Sequence, residues 1–192
     1  MKKILILIFW SFVCLAQAQN LSPESKKGLF GYKKAGEKRW IIKPKFQDAK
    51  KFGEMGLDSS LAFVKQNNLW GVINQKGVWQ IGAIYDSVLV KKYNEKPFIV
   101  TFNKATKMLT VLDNKAKKQT IDFENEILNF DVNKRGYVIL TQSNNKFLYQ
   151  IANNQFIETE LKNFQTIEQF SEKVFLFEKN GLKGLFFADM LL

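Results

Sequence analysis

The chain has 192 residues, with 29 basic and 18 acidic side chains and a formal net charge of +11. It contains no histidine, which excludes a Ser-His-Asp triad, a Cys-His pair and a histidine-based zinc site. Its single cysteine, Cys14, lies in an N-terminal leader, so the remaining chain has no thiol for nucleophilic catalysis, zinc binding or an iron–sulfur cluster.

The leader has the pattern of a secretory signal peptide. Two lysines are followed by an apolar run over residues 4–15 and by Ala16-Gln17-Ala18, an A-x-A cleavage site. The apolar run is shorter than the ~20 residues that a membrane-spanning helix needs, which favours cleavage over anchoring. We therefore expect residues 1–18 to be removed, and residues 19–192 to form one exported domain in the periplasm or outside the cell.

A short phrase follows the leader and suggests a strand pair. Leu29-Phe30-Gly31-Tyr32 is followed by Gly36 and then by Trp40-Ile41-Ile42. Here and later in the chain, apolar runs of four to seven residues alternate with polar breaks, which predicts short strands joined by tight turns. Gly36 can supply the positive φ that such a turn requires.

The phrase returns 40 residues later as Leu69-Trp70-Gly71-Val72-Ile73, followed by Asn74-Gln75-Lys76-Gly77. This four-residue link predicts a hairpin on a type I turn, with Gly77 at positive φ. Glycine on a strand permits close approach of another backbone, so we interpret the Trp-Gly pair as a packing device.

The three tryptophans of the two phrases, Trp40, Trp70 and Trp79, allow two interpretations. They are either core residues or stacking platforms for sugars. Burial in the core is favoured because large aromatic side chains are highly buried on average.

Three weaker copies follow by spacing and pattern, and they begin at Met108, Phe147 and Leu182, the last including Gly184. The units are then near residues 29–68, 69–107, 108–146 and 147–181, with a partial unit at 182–192. A period of this length indicates a repeat architecture. We predict an all-β or β-dominated fold of antiparallel meanders, stacked into a solenoid or propeller-like array. Residues 185–187 should pair beside residues 174–177 and close the last unit.

These features resemble the WG-repeat family of bacterial surface and periplasmic proteins. The resemblance rests on Trp70-Gly71 and Gly77 in the second copy, and on Gly31, Gly36 and Pro44-Lys45-Phe46 in the first; it covers about residues 28–90. It implies a β-rich repeat fold and, for most members, no known biochemical activity. The predicted repeat-structural residues are Phe30, Gly31, Gly36, Trp70, Gly71, Gly77, Tyr85, Asp86 and Gly184.

Two acidic residues occur at related places. Asp48 follows Phe46 by two residues, Asp86 follows Tyr85 directly, and Phe46 and Tyr85 are 39 residues apart. Acids at equivalent turns usually hold the turn through side-chain hydrogen bonds. A glycosidase-like pair would need a shared cleft, and nothing in the sequence places the two carboxyls in one. We find no calcium loop or phosphate-binding glycine loop, and predict no catalytic, metal-binding or cofactor-binding residue and no cofactor.

Charge is distributed unevenly along the chain. Residues 19–51 carry a net charge of +7, residues 52–118 carry +5, and residues 119–192 carry −3. The basic end suggests an anionic partner, although a solvated lysine surface that serves solubility is the alternative. The candidate anion-binding residues are Lys33, Lys34, Lys38, Arg39, Lys43, Lys45, Lys50 and Lys51.

The favoured function is a non-catalytic binding or scaffolding module in the cell envelope. The alternative is recognition of an envelope polysaccharide or other anionic polymer through the basic N-terminal repeats, and a third hypothesis is a glycan hydrolase that uses carboxylates only. The expected partner is another envelope protein or an anionic envelope polymer, with no nucleic acid and no transmembrane segment after cleavage.

Overall fold

The computed structural model describes residues 21–93, 96–122, 127–142, 144–152 and 155–188. The predicted signal peptide, the expected start at Gln19 and the apolar residues 190–192 therefore lie outside the described residues. In the part that is described, the chain folds into eighteen strands that form five antiparallel sheets in chain order. Within the same ranges, no helix is both long enough and apolar enough to cross a membrane.

The first two sheets contain the two clear copies of the phrase. The first sheet consists of β1 (Leu21–Lys26), β2 (Leu29–Lys34) and β3 (Trp40–Phe46). The second consists of β4 (Asp48–Ala49), β5 (Leu61–Gln66), β6 (Leu69–Asn74) and β7 (Trp79–Tyr85), with a short 3-10 turn at Glu54–Gly56.

Three further sheets follow. The third consists of β8 (Ser87–Tyr93), β9 (Lys96–Asn103), β10 (Met108–Leu112) and β11 (Lys118–Asp122). The fourth consists of β12 (Ile127–Val132), β13 (Tyr137–Gln142), β14 (Asn145–Ala152) and β15 (Gln155–Glu158). The fifth consists of β16 (Thr166–Gln169), β17 (Val174–Lys179) and β18 (Leu182–Phe187). These successive meanders confirm the predicted fold class.

The five copies of the phrase occupy equivalent strands. They lie on β2, β6, β10, β14 and β18, each preceded in its sheet by the strand with which it forms a hairpin. The units counted from the phrase therefore do not coincide with the sheets, because each sheet begins at least one strand before the strand that carries the phrase. β18 completes the fifth sheet and does not open a new one. Its predicted pairing is confirmed, since Leu185 lies opposite Leu176 on β17.

Each pair of consecutive sheets encloses a hydrophobic core. On β5, Ala62 and Val64 point into the core shared with the first sheet, while Phe63 points into the core shared with the third. Alternate residues of a strand face opposite sides of the sheet, so a strand between two cores is apolar at successive positions. Similar cores join the third sheet to the fourth and the fourth to the fifth. The array is thus held together by side chains between neighbouring sheets.

The predicted turns are present. Gly77 has φ 75° and Gly36 has φ 79°, so both occupy the left-handed region that glycine tolerates best. The Asn74 side chain adds a feature that the sequence analysis did not anticipate, since its Oδ1 accepts hydrogen bonds from the amides of Lys76 at 3.0 Å and Val78 at 3.1 Å. Asp113 holds its own turn in the same way, through the amides of two following lysines.

The glycine of the Trp-Gly pair sits where two strands come unusually close. Trp70 pairs with Tyr85 and Val72 pairs with Ile81, so Gly71 alone on β6 faces residues 82–84 on β7. A Cβ at Gly71 would lie 2.7 Å from backbone atoms of β7. The first sheet repeats the arrangement, with Gly31 against the backbone of residues 42–44. In both copies the glycine therefore lies where a Cβ would collide with the backbone of the next strand.

Candidate anion-binding cleft

An open cleft of about 790 Å³ lies on the first sheet. It is lined by residues of the β1–β2 hairpin, of the turn before β3 and of β3 itself. Its lining combines five basic side chains with three apolar ones and includes no carboxylate. The lining residues are Lys26, Lys27, Leu29, Lys38, Arg39, Trp40, Lys43 and Pro44.

The five basic residues of the cleft are exposed. Among the described residues, none of the five forms a salt bridge with a carboxylate. Cations gathered in one concave surface focus the electrostatic potential there and raise the local concentration of anions. The cleft is therefore suited to an anionic ligand.

The second sheet shows that the fold itself does not require these charges. The β1–β2 and β5–β6 hairpins have the same register, and Trp40 and Trp79 begin equivalent strands. Counted from these landmarks, four of the five basic residues have uncharged equivalents in the second repeat, and the fifth, Lys38, lies in a turn that is one residue longer than its counterpart there. The pairs are Lys26 and Gln66, Lys27 and Asn67, Arg39 and Val78, and Lys43 and Gly82.

Trp40 is the one aromatic residue of the cleft lining. Its side chain is half-buried, and the Nζ of Lys33 lies 4.3 Å from the ring centroid, which is a cation–π contact. Lys33 is held in turn by a salt bridge of 2.6 Å to Glu24 on β1. The residues that cover this part of the ring are therefore fixed by the strand pairing of the first sheet.

The structure divides the eight candidate anion-binding residues. Lys38, Arg39 and Lys43 come together in the cleft, and Lys33 lies against its tryptophan. The other candidates lie elsewhere: Lys34 is 3.8 Å from Glu37, Lys50 is 3.1 Å from Asp48, Lys45 lies 5.2 Å from the Phe46 ring, and the Lys51 amide donates to Glu54. Lys26 and Lys27 also line the cleft and were not among the candidates, although the 40-residue register places them at the tip of the first hairpin.

The other two tryptophans pack against the cores, and neither is completely buried. Trp70 lies against the core between the second and third sheets, and the Nζ atoms of Lys50 and Lys65 lie 5.2 and 5.8 Å from its ring. Trp79 packs against the first core, where it meets the Phe46 ring edge-on at 5.9 Å between centroids. The favoured interpretation as core residues describes these two better than it describes Trp40.

Asp86 holds a turn, but its equivalent in the first repeat is Gln47 and not Asp48. The Asp86 Oδ2 accepts a hydrogen bond of 2.6 Å from the Lys104 amide, at the β9–β10 turn. The Gln47 Oε1 accepts one of 2.6 Å from the Asn68 amide, at the β5–β6 turn. Gln47 directly follows Phe46 as Asp86 follows Tyr85, and the carboxylate of Asp48 pairs with a lysine instead. The sequence comparison of two acids therefore matched the wrong residue.

The titratable groups with shifted pKa values are structural. Burial raises the pKa of the Tyr32 hydroxyl well above its usual range, with smaller contributions from Asp48 and Glu54. This hydroxyl donates a hydrogen bond of 2.7 Å to the Lys50 carbonyl. Burial also raises the pKa of Tyr85, while a hydrogen bond from the Ser60 amide lowers the pKa of the exposed Asp58. Within the described residues, no group of three or more acidic residues is placed to hold a metal ion.

The solved structures that match this chain are only distantly similar to it. An Hsv2 variant, KlHsv2 with loop 6CD replaced by a Gly-Ser linker, is 13% identical at a TM-score of 0.42, with 69% of this chain and 46% of that chain covered. The dihydro-heme d1 dehydrogenase NirN is 13% identical at 0.43, with 91% and 44% covered. A protein of unknown function from Bacteroides caccae is 10% identical at 0.32, with 82% and 66% covered. This chain thus spans less than half the length of the first two.

The family comparison agrees with the repeat seen in the first two sheets. No curated protein matches the chain. Residues 30–70, which run from β2 through the first core to the Trp-Gly pair of β6, match the family model described as the WG containing repeat. Over this stretch the chain is similar to the WG containing repeat, in agreement with the resemblance of the two phrases.

Proposed function

We propose that this chain is an exported, non-catalytic binding module whose first sheet binds an anionic polymer. The single observation that carries the proposal is the cleft of the first sheet, with five exposed basic residues that have no salt-bridge partner among the described residues. Four of them have uncharged equivalents in the second repeat. Charge that the fold does not need, gathered on one surface, supports a role in binding.

The form of the cleft favours an extended ligand. Its basic residues come from a hairpin, a turn and a neighbouring strand, and four of the five are lysines. Lysine acts as a mobile point charge, whereas arginine presents a rigid bidentate fork. Such a surface suits the repeated charges of a polymer better than one precisely oriented anionic group. Binding should then weaken as salt screens the exposed charges.

A triple variant of the cleft tests the proposal, and a second triple variant elsewhere on the protein is its matched control. K38A/R39A/K43A removes three positive charges from the cleft, and K104A/K115A/K117A removes three exposed lysines at turns of the third sheet. We expect the affinity of residues 19–192 for polygalacturonate to fall about tenfold in the first variant, since exposed ion pairs are worth ~0.2–1 kcal/mol each. The control variant, which loses the same number of charges as the cleft variant, should keep an affinity within about twofold of wild type. Equal losses in both variants would show that only net charge matters.

The export part of the proposal has its own test. The signal pattern of residues 1–18 motivates it, and mass spectrometry of the protein from envelope and secreted fractions should find a mature chain beginning at Gln19. A soluble cytoplasmic protein that retains the leader would contradict export and would remove envelope polymers from the candidate ligands.

Two other functions remain to be separated from this one. A scaffold for an acidic envelope protein would lose its partner in the same cleft variant but would not bind the polysaccharide. A hydrolase that uses carboxylates only would release reducing ends from a glycan, with a rate that depends on pH. Asp48 is paired with a lysine and Asp86 holds a turn, so neither carboxylate has the arrangement expected of a catalytic group.

A further inference from the structure

The indole of Trp40 distinguishes the cleft from a purely electrostatic surface. We propose that Trp40 is a stacking platform for a sugar ring, so that the bound polymer is an acidic polysaccharide. This inference rests on the proposed function and names the chemical class of its ligand.

The equivalent tryptophan of the second repeat shows what is unusual about Trp40. Trp40 and Trp79 begin β3 and β7, and each pairs with the equivalent residue of the neighbouring strand. Trp79 packs into the core between the first two sheets and meets the Phe46 ring. Trp40 belongs to no buried cluster of the described residues, and it lines the cleft instead. The repeat therefore uses the same position for packing in one sheet and presents it to a ligand in the other.

The ring is held in place before any ligand arrives. Lys33 lies over it at 4.3 Å, the Lys33 side chain is only 17% exposed, and Glu24 binds its ammonium group. Lys33 is not part of the cleft lining, whereas Trp40 is. An aromatic ring fixed in this way loses little conformational entropy when a ligand stacks on it.

The neighbours of Trp40 suit an acidic sugar. Besides Trp40, the cleft lining contains two apolar residues, Leu29 and Pro44, and five basic side chains. A pyranose ring has an apolar face of C–H groups and carries its carboxylate or sulfate at the periphery, which matches this pattern. Sites for single-stranded nucleic acids stack successive bases on several aromatic side chains, whereas this lining holds one.

Two variants and four polyanions test the inference. W40A removes the platform, and I41A removes an exposed apolar side chain of the same strand as a control. The probes are polygalacturonate, dextran sulfate, ring-free polyphosphate and oligothymidylate, each at low and high salt. We expect W40A to weaken binding of at least one of the two acidic polysaccharides about tenfold, within the range for aromatic stacking. It should change polyphosphate binding less than twofold, and I41A should change neither.

The outcomes separate this inference from the proposed function. If wild type binds none of the polyanions, the anion-binding function itself is wrong. If W40A weakens polyphosphate as much as the polysaccharides, or weakens nothing, the platform is wrong while the basic cleft stands. Oligothymidylate bound more tightly than either polysaccharide would also overturn it. W40F guards against misfolding, because it keeps an aromatic ring and should retain most of the polysaccharide affinity.

Discussion

Replacing Gly71 with alanine should destabilise the protein by about 2–4 kcal/mol. The new Cβ would lie 2.7 Å from the carbonyl carbon and oxygen of Gly82 and from the Ile81 oxygen. Ordinary carbon contacts begin near ~3.5 Å, so β7 would have to move away by most of an ångström. All three obstructing atoms belong to the backbone, which cannot rotate aside as a side chain can. The movement would disturb the β6–β7 ladder and the first core beneath it.

Gly82 provides a matched control on the opposing strand. A Cβ at Gly82 would meet nothing within 4 Å, and the residue does not have a left-handed φ. Gly82→Ala should therefore be neutral or stabilise the fold by up to ~1 kcal/mol, because alanine restricts the unfolded chain.

Urea and thermal unfolding of both variants measure the difference. For a chain of this size, a loss of 2–4 kcal/mol corresponds to a decrease of about 5–15 °C in Tm. If Gly71→Ala unfolded within about 0.5 kcal/mol of wild type, the close approach would not restrict this position. Equal losses in the two variants would indicate a general intolerance of side chains on these strands.

Three further predictions concern the cores and their termini. Trp70→Ala should cost about 2–3 kcal/mol in denaturant unfolding, less than the ~3–5 kcal/mol of a fully buried aromatic, and an unchanged midpoint would show that the ring contributes nothing to packing. The pKa of Tyr32 is raised in the folded state, so its contribution to stability is complete below the unfolded pKa of ~10 and decreases above it, by up to ~1.4 kcal/mol per pH unit. The free energy of unfolding of Tyr32→Phe should therefore fall less steeply than that of wild type between pH 9 and 11, and parallel pH profiles of the two proteins would refute this. Deleting residues 182–192 should lower Tm and soluble yield because Phe175, which is completely buried, loses β18 as its neighbour; an unchanged Tm would show that β18 does not cap the last sheet.

Local backbone requirements were readable from the sequence. Gly77 was predicted at positive φ and Gly71 at a close backbone approach, because only glycine satisfies either requirement at low cost. The period of the phrase predicted the succession of small antiparallel sheets, because a repeat of this length indicates a repeat architecture. The three inner copies, on β6, β10 and β14, carry the apolar pattern of a strand between two cores.

The packing of residues from different sheets against one another could not be predicted from the local sequence. Trp40 and Trp79 have the same local sequence pattern. Trp79 packs against the core between the first two sheets, whereas Trp40 lines the cleft. Gln47 was missed because an amide oxygen and a carboxylate oxygen accept the same hydrogen bond, while the sequence comparison searched for a repeated charge. The cleft itself was predicted in part, since three of its basic residues were candidates and two at the hairpin tip were not.

The side chains that hold the hairpin turns have a consequence for how the array opens. Gln47, Asp86 and Gln165 each precede a sheet and accept a hydrogen bond from a turn amide of that sheet, on Asn68, Lys104 and Asn180. Amides at exposed hairpin tips usually exchange with solvent almost freely. Here, exchange of the three amides requires the connecting segment to detach as well. Native-state hydrogen exchange should therefore show each hairpin tip opening together with the junction that precedes it, so that the array opens locally, one sheet junction at a time.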